Sequence, residues 1–231
     1  MTKIYEDGTY LKNNPSWHEQ DSPWKAQQIL KIIEQNSLMP KSICEVGCGA
    51  GEILNQLSNH LGNDVNFTGY EISPQAYERC ITKSKPNLIY KNMDFFDETD
   101  ASYDIAMAVD VFEHIEDYFD FLRKFKERAE YKLFHIPLDL SVQTLFRKSP
   151  LIKSRESFGH IHYFTKDTAL ASLKDTNYEI VDHFYTAWSL ELPNRGWKSN
   201  MFNIPKRVLA KFNKDFAVRL LGGYSLLVLA K

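Results

Sequence analysis

The sequence predicts an α/β fold, a mostly parallel sheet with helices on both faces. Three observations carry that expectation. Short apolar runs alternate with segments of helical period along most of the chain, the rhythm of strand-helix-strand units. The run Tyr103–Val109 is almost continuously apolar, as a strand covered on both faces must be. Residues 43–54 read Ile-Cys-Glu-Val-Gly-Cys-Gly-Ala-Gly-Glu-Ile-Leu, an apolar run entering a turn with glycine at every second position.

The elements follow in order. Ser22-Pro23 is a good helix start, and Ala26, Ile29, Leu30 and Ile33 give that helix an apolar face, with Pro40 beyond its end. Tyr5, Tyr10, Trp17, His18 and Trp24 cluster before and within its first turn, either as a lid over a ligand or as anchors for the helix. After the glycine turn, Ile53, Leu54, Leu57 and Leu61 share one helical face that Gly62 ends. Val65–Glu71 reads as a second strand, Leu88–Met93 as a third and Tyr103–Val109 as a fourth. Tyr118, Phe121, Leu122, Phe125 and Ala129 mark another helix, and Tyr131–Ile136 a fifth strand stopped by Pro137. A helix over Lys166–Asp175, a sixth strand over Tyr178–Tyr185 and a last strand over Tyr224–Ala230 complete the pattern.

The glycine turn carries the chemistry. Gly47, Gly49 and Gly51 can take positive φ and present no Cβ, so the backbone can lie against a ligand. Dinucleotide folds use G-x-G-x-x-G with pyrophosphate on the following helix. Here the pattern is E-x-G-x-G-x-G, and Glu45 would repel a pyrophosphate but suit a cationic ligand. That spacing also argues against a nicotinamide oxidoreductase.

This stretch resembles motif I of the class I S-adenosylmethionine-dependent methyltransferases of the small-molecule type, and residues 40–140 follow that family's order of elements. The resemblance implies a Rossmann-like, seven-stranded sheet with the last strand antiparallel beside the fifth. It implies S-adenosylmethionine as methyl donor and S-adenosylhomocysteine as product. Glu45, Gly47, Cys48, Gly49 and Gly51 would surround the donor's methionine part, and Glu71 would bond its ribose hydroxyls. Ile72, Asp94 and Phe95 would meet the adenine, while Asp110 and Val111 would lie between the methionine part and the acceptor.

Methyl transfer demands in-line alignment, and a hydroxyl acceptor must also lose its proton. Glu113 and His114 stand beyond the fourth strand for that task; His114 is the expected general base, with His135 and His162 in reserve. The run Asp110-x-x-Glu113-His114 resembles the E-x-x-E-H of metal-assisted ubiquinone-pathway and small-RNA 2′-O-methyltransferases, but its first acid is the shorter Asp. His160 and His162 alternate within 159–164 and lack a third ligand, so hydrogen bonding is their expected role. No metal ligand is assigned; a divalent metal is the alternative.

At 231 residues with 43% hydrophobic content, one domain is expected over 1–231: an N-terminal lid and helix (1–39), a cofactor-binding half (40–136) and an acceptor-side half (137–231) with a helical insertion about 187–223. Cys44, Cys48 and Cys80 form no disulfide framework, and no apolar run approaches a membrane span, so a cytoplasmic setting is expected. A net charge of −2 supplies no overall field for DNA. Two stretches are locally basic. The first holds Arg147, Lys148, Lys153 and Arg155; the second, Pro205–Leu221, reads as an amphipathic helix with Leu209, Phe212 and Phe216 facing together. Packing on its own domain is the expectation for that helix, and membrane-surface contact the alternative. The predicted activity is methyl transfer to a small-molecule hydroxyl. N- or C-methylation is the alternative, as is a noncatalytic donor-binding or scaffold protein, against which the intact Glu45, Glu71 and Asp94 count.

Overall fold

A computed structural model describes residues 9–17, 19–147, 149–191 and 197–231. Its strands are β1 (Ser42–Val46), β2 (Asn66–Tyr70), β3 (Leu88–Lys91), β4 (Tyr103–Val109), β5 (Ala129–Pro137), β6 (Ile180–Thr186) and β7 (Ser225–Ala230). They form one sheet in the order β3-β2-β1-β4-β5-β7-β6. Only β7 is antiparallel to its neighbours β5 and β6; every other pairing is parallel. The helices are α1 (Thr9–Asn13), α2 (Ser22–Gln35), α3 (Glu52–Leu61), α4 (Pro74–Cys80), α5 (Tyr118–Lys126), α6 (Val142–Arg147), α7 (Ser149–Phe158), α8 (Lys166–Asp175), α9 (Trp188–Glu191), α10 (Trp197–Phe212) and α11 (Lys214–Leu221).

Strand periodicity divides the core in two. Along β4, Ala106 and Ala108 join one apolar cluster while Ile105, Met107 and Val109 join the other. Leu226 and Val228 of β7 likewise oppose Leu227 and Leu229. α2 and α3 cover one face through Ile29, Ile33, Leu54 and Leu57, and α5 and α8 cover the other through Phe121, Phe125, Ala169 and Leu173. The chain builds outward from β1 to β3, then crosses back to β4. The resulting switch point lies at the carboxyl ends of β1 and β4, where open α/β sheets bind ligands.

Several expected boundaries shift. β3 stops at Lys91 rather than Met93, because Asp94 caps a 3-10 turn through a bond accepted from the Phe96 N–H. The 205–221 stretch is not one helix. Asn213 ends α10 and caps α11 by accepting from the Phe216 N–H at 2.9 Å, so Leu209 and Phe212 belong to one helix and Phe216 to the next. Trp24 anchors α2, its indole N–H donating to Glu191 at 2.9 Å. Trp17 instead packs over Ala50 of the glycine turn and Ala76. Tyr5, His18 and Lys148 lie outside the described residues, as do the side chains of Tyr10 and Trp197. No helix among the described residues is long and apolar enough to cross a membrane.

Candidate active site

A cleft of about 740 Å³ opens at the switch point, within the range of small-molecule sites. The glycine turn forms its floor. Gly47, Gly49 and Gly51 have φ of 67°, 55° and 75°. A Cβ at Gly47 would press on Val111 at 3.1 Å, and one at Gly51 would strike the Tyr90 ring at 2.6 Å, whereas one at Gly49 would meet nothing within 4 Å. Two of the glycines therefore admit the protein's own packing, and Gly49 faces open space. The turn is tied to β2: the Gly47 and Cys48 N–H groups donate to the Tyr70 carbonyl at 2.8 and 3.1 Å. Cys48 is buried, its sulfur 3.9 Å from that of Cys80, so both thiols are packing groups beneath the turn.

The acids stand around this floor. Glu71, almost fully buried, accepts from the Gly49 and Ser73 N–H groups at 2.8 Å each; burial raises it to about 7 against those bonds. Its oxygens keep lone pairs for further donors. Glu45 is buried with one carboxylate oxygen lacking a hydrogen-bond partner among the described residues, and burial pushes it to about 8 even though Lys25 pulls it down. Val46, Ile72, Asp94 and Val111 also line the cleft. Phe95 reaches the wall only by an edge: it is 1% exposed and packs on Tyr70 and Phe125, a core ring rather than a free stacking surface.

Asp110 is held from two sides. It takes a positive φ of 54°, strained for a residue with a side chain, while Lys25 reaches its carboxylate at 2.9 Å and His135 at 2.6 Å. Burial opposes its ionisation, but His135 and Lys25 hold it well below the usual carboxylate range. Lys25 was not among the expected site residues. Its one sequence signal is the spacing from Asp21, a helical ion pair at 3.1 Å. His135 also contacts Thr186 at 2.9 Å, so both ring nitrogens are engaged and it is no spare base.

The histidines beyond β4 differ from expectation. Burial, followed by the neighbouring His160, lowers His114 to about 4, which leaves it neutral and weakly basic at pH 7. Glu113 is fully buried off the cleft wall, its carboxyl raised by burial and then by Asp110. Its carbonyl accepts from the Ile161 and His162 N–H groups at 3.0 and 3.1 Å, fastening the loop after α7. That loop presents His160 to the cleft, with Nδ1 2.6 Å from Asp139 and 3.0 Å from Ser154 Oγ, leaving Nε2 for a ligand. His162 turns away, its Nε2 2.9 Å from the Ile115 carbonyl.

The metal alternative has a definite geometry. Glu113, His114 and His160 each bring one ligand atom within 4.8 Å of the others. Both Glu113 carboxylate oxygens are buried without a hydrogen-bond partner among the described residues. Asp139 backs His160 as carboxylates back ligating imidazoles. The set fits a divalent ion that accepts imidazole and carboxylate. It is not the run Asp110-x-x-Glu113-His114, because Asp110 is committed to Lys25 and His135.

A seven-stranded sheet with β7 reversed and a glycine-floored cleft at its switch point is the architecture of the class I methyltransferases. A family profile described as a methyltransferase domain matches residues 17–183, and the chain belongs to that family. Among solved structures it is similar to the plantazolicin methyltransferase BpumL in complex with SAH, at 15% identity over 100% of this chain and 93% of that one, TM-score 0.63. It is similar to the magnesium protoporphyrin IX methyltransferase of Synechocystis PCC 6803 with bound SAH, at 14% identity over 95% and 85%, TM-score 0.60. The N-methyltransferase NodS of Bradyrhizobium japonicum WM9 aligns at 16% identity over 97% and 98%, TM-score 0.59. At these identities the likeness is one of fold.

Proposed function

We propose that the chain transfers a methyl group from S-adenosylmethionine to a hydroxyl oxygen of a small molecule, with His160 as general base. The observation that carries the oxygen assignment is His160 on the cleft wall, backed by Asp139 at 2.6 Å from its Nδ1. Asp139 fixes the tautomer with the proton on Nδ1, so Nε2 can take the hydroxyl proton as the oxygen attacks the methyl carbon. Glu71 accepts from the donor's ribose hydroxyls, Ile72 and Asp94 border its adenine, and Glu45 faces its amino group. Lys25 and His135 hold Asp110 at the donor's methionine end. A second reading rests on the buried, unpartnered Glu113 carboxylate. A divalent ion on Glu113, His114 and His160 would lower the acceptor's pKa in place of the base.

The direct test incubates the protein and labelled donor with a metabolite extract, with and without chelator, and reads products by mass spectrometry. A labelled methyl ether formed equally in both supports the base. Loss with chelator supports the metal, and product labelled only at nitrogen or carbon removes the oxygen assignment.

Glu45 gives a second test. At pH 7 a carboxyl with a pKa of about 8 is mostly protonated, and a cation placed against it favours the ionised form. Donor binding at pH 7 is therefore expected to release protons, seen as a heat that depends on the buffer's ionisation enthalpy; Glu45→Gln should reduce that dependence, the remainder coming from Glu71, which is raised to about 7. The same raised pKa costs stability: this contribution is best below the ordinary carboxylate range and worsens as pH rises towards 8.

A further inference from the structure

Helices α6, α7, α10 and α11 form a cap beside the β7 end of the sheet. α6 packs on α11, and α10 is tied to the end of α11 by Lys206, whose ammonium donates to the Gly222 carbonyl at 3.0 Å. The inner side of this cap is closed by Ala217 and Val218, both buried. The same helices leave large apolar side chains in solvent. Phe146 and Phe212 are each 85% exposed, and Leu145, Ile152, Val208 and Phe216 are at least half exposed.

The charge of the same segments is as uneven. Residues 142–158 and 197–221 contain ten Lys and Arg against two Asp and Glu, in a chain whose net charge is −2. Of the two acids, Asp215 is occupied by Lys166 and Tyr185. Arg147, Lys153, Arg155 and Lys211 are exposed and take part in no ion pair among the described residues. Large exposed apolar groups among unpaired cations are what an interfacial membrane surface requires: the apolar groups enter the headgroup boundary while the cations meet anionic lipid.

We propose that this cap docks on an anionic lipid bilayer. A second copy of the chain is the poorer occupant, because a two-fold interface sets the same patch against itself and would oppose two strongly positive surfaces. A nucleic acid is poorer too: its bases could stack on Phe146, Phe212 and Phe216, but the aliphatic Leu145, Ile152 and Val208 offer no stacking face, whereas a bilayer takes in all six. Phe158 ends α7 on the cleft wall and is itself 36% exposed, so docking sets the cleft mouth at the lipid surface.

The test is flotation of the full chain with vesicles of phosphatidylcholine containing phosphatidylglycerol, and with vesicles of phosphatidylcholine alone. The expected result is co-flotation with the anionic vesicles only, weakened by salt. The Arg147→Gln/Lys211→Gln pair should lower partitioning by about thirtyfold, from roughly 1 kcal/mol per basic residue. Phe146→Asp with Phe212→Asp should abolish it. Unchanged thermal melting and S-adenosylmethionine affinity establish that the variants are folded; should the Phe variants unfold, the charge pair decides. No flotation, or equal flotation with neutral vesicles, overturns the proposal. So does a dimer in sedimentation that Phe212→Asp dissociates without any vesicle binding.

Discussion

His160→Ala is expected to lower kcat by about 10²–10⁴-fold, the usual contribution of a positioned general base, with donor affinity unchanged. The expectation follows from placement. Both His114 and His160 line the cleft, and their rings meet edge to face at 4.8 Å. His160 has the Asp139 carboxylate at 2.6 Å from its Nδ1, whereas the Glu113 carboxylate stands 3.8 Å from His114 Nε2. His114, lowered to about 4, would hold a proton too weakly to receive one from a hydroxyl at neutral pH. Steady-state kinetics of His160→Ala and His114→Ala, with donor Kd by calorimetry, rank the two. A larger kcat loss in His114→Ala would return the role to that residue. Asp139→Asn should reduce kcat with a shifted pH profile, because it disturbs the tautomer without removing the imidazole.

Glu71→Ala is expected to weaken donor binding at least about a hundredfold. Hydrogen bonds to a charged acceptor contribute about 1.5–3 kcal/mol each, and two ribose hydroxyls would be lost together. The same carboxylate holds the glycine turn through the Gly49 N–H and the next helix through the Ser73 N–H, so its removal also loosens the floor. Glu71→Gln separates these effects. Its amide oxygen can still accept one of the backbone bonds, so the turn is better kept while ribose recognition weakens. Calorimetric Kd values within twofold of wild type for both variants would remove Glu71 from the donor site.

What could be read in the sequence was what depends on local pattern. The glycine spacing at 47–51, the apolar run 103–109 and the helix 166–175 are short-range signals, and each element stands where its pattern put it. Burial at 114 was not legible, because it is produced by a loop some 45 residues onward folding back over the turn after β4. The same return brings His160 to Glu113 and His114, so the three-donor cluster exists only in the folded chain. Lys25 was missed for a similar reason: its partner Asp110 lies four strands away in sequence. The break at Asn213 has a local signal in the sequence. An Asn ahead of Lys-Asp is an ordinary helix start, and the apolar spacing across it disguised two helices as one.

The reversed strand β7 has a consequence for the order in which the molecule can be assembled. β6 is synthesised well before β7, yet its sheet neighbour is β7 alone, and β5 also waits for β7 on its outer side. During synthesis, strands β1 to β5 can pair as soon as they emerge, while β6 has no place in the sheet until the last segment arrives between them. A nascent chain that has reached only α11 therefore bears an open edge on β5 and an unattached β6, the kind of exposed strand that pairs wrongly with other chains. Insertion of β7 covers the open edge of β5 and seats β6 as the sheet's outer strand in one step.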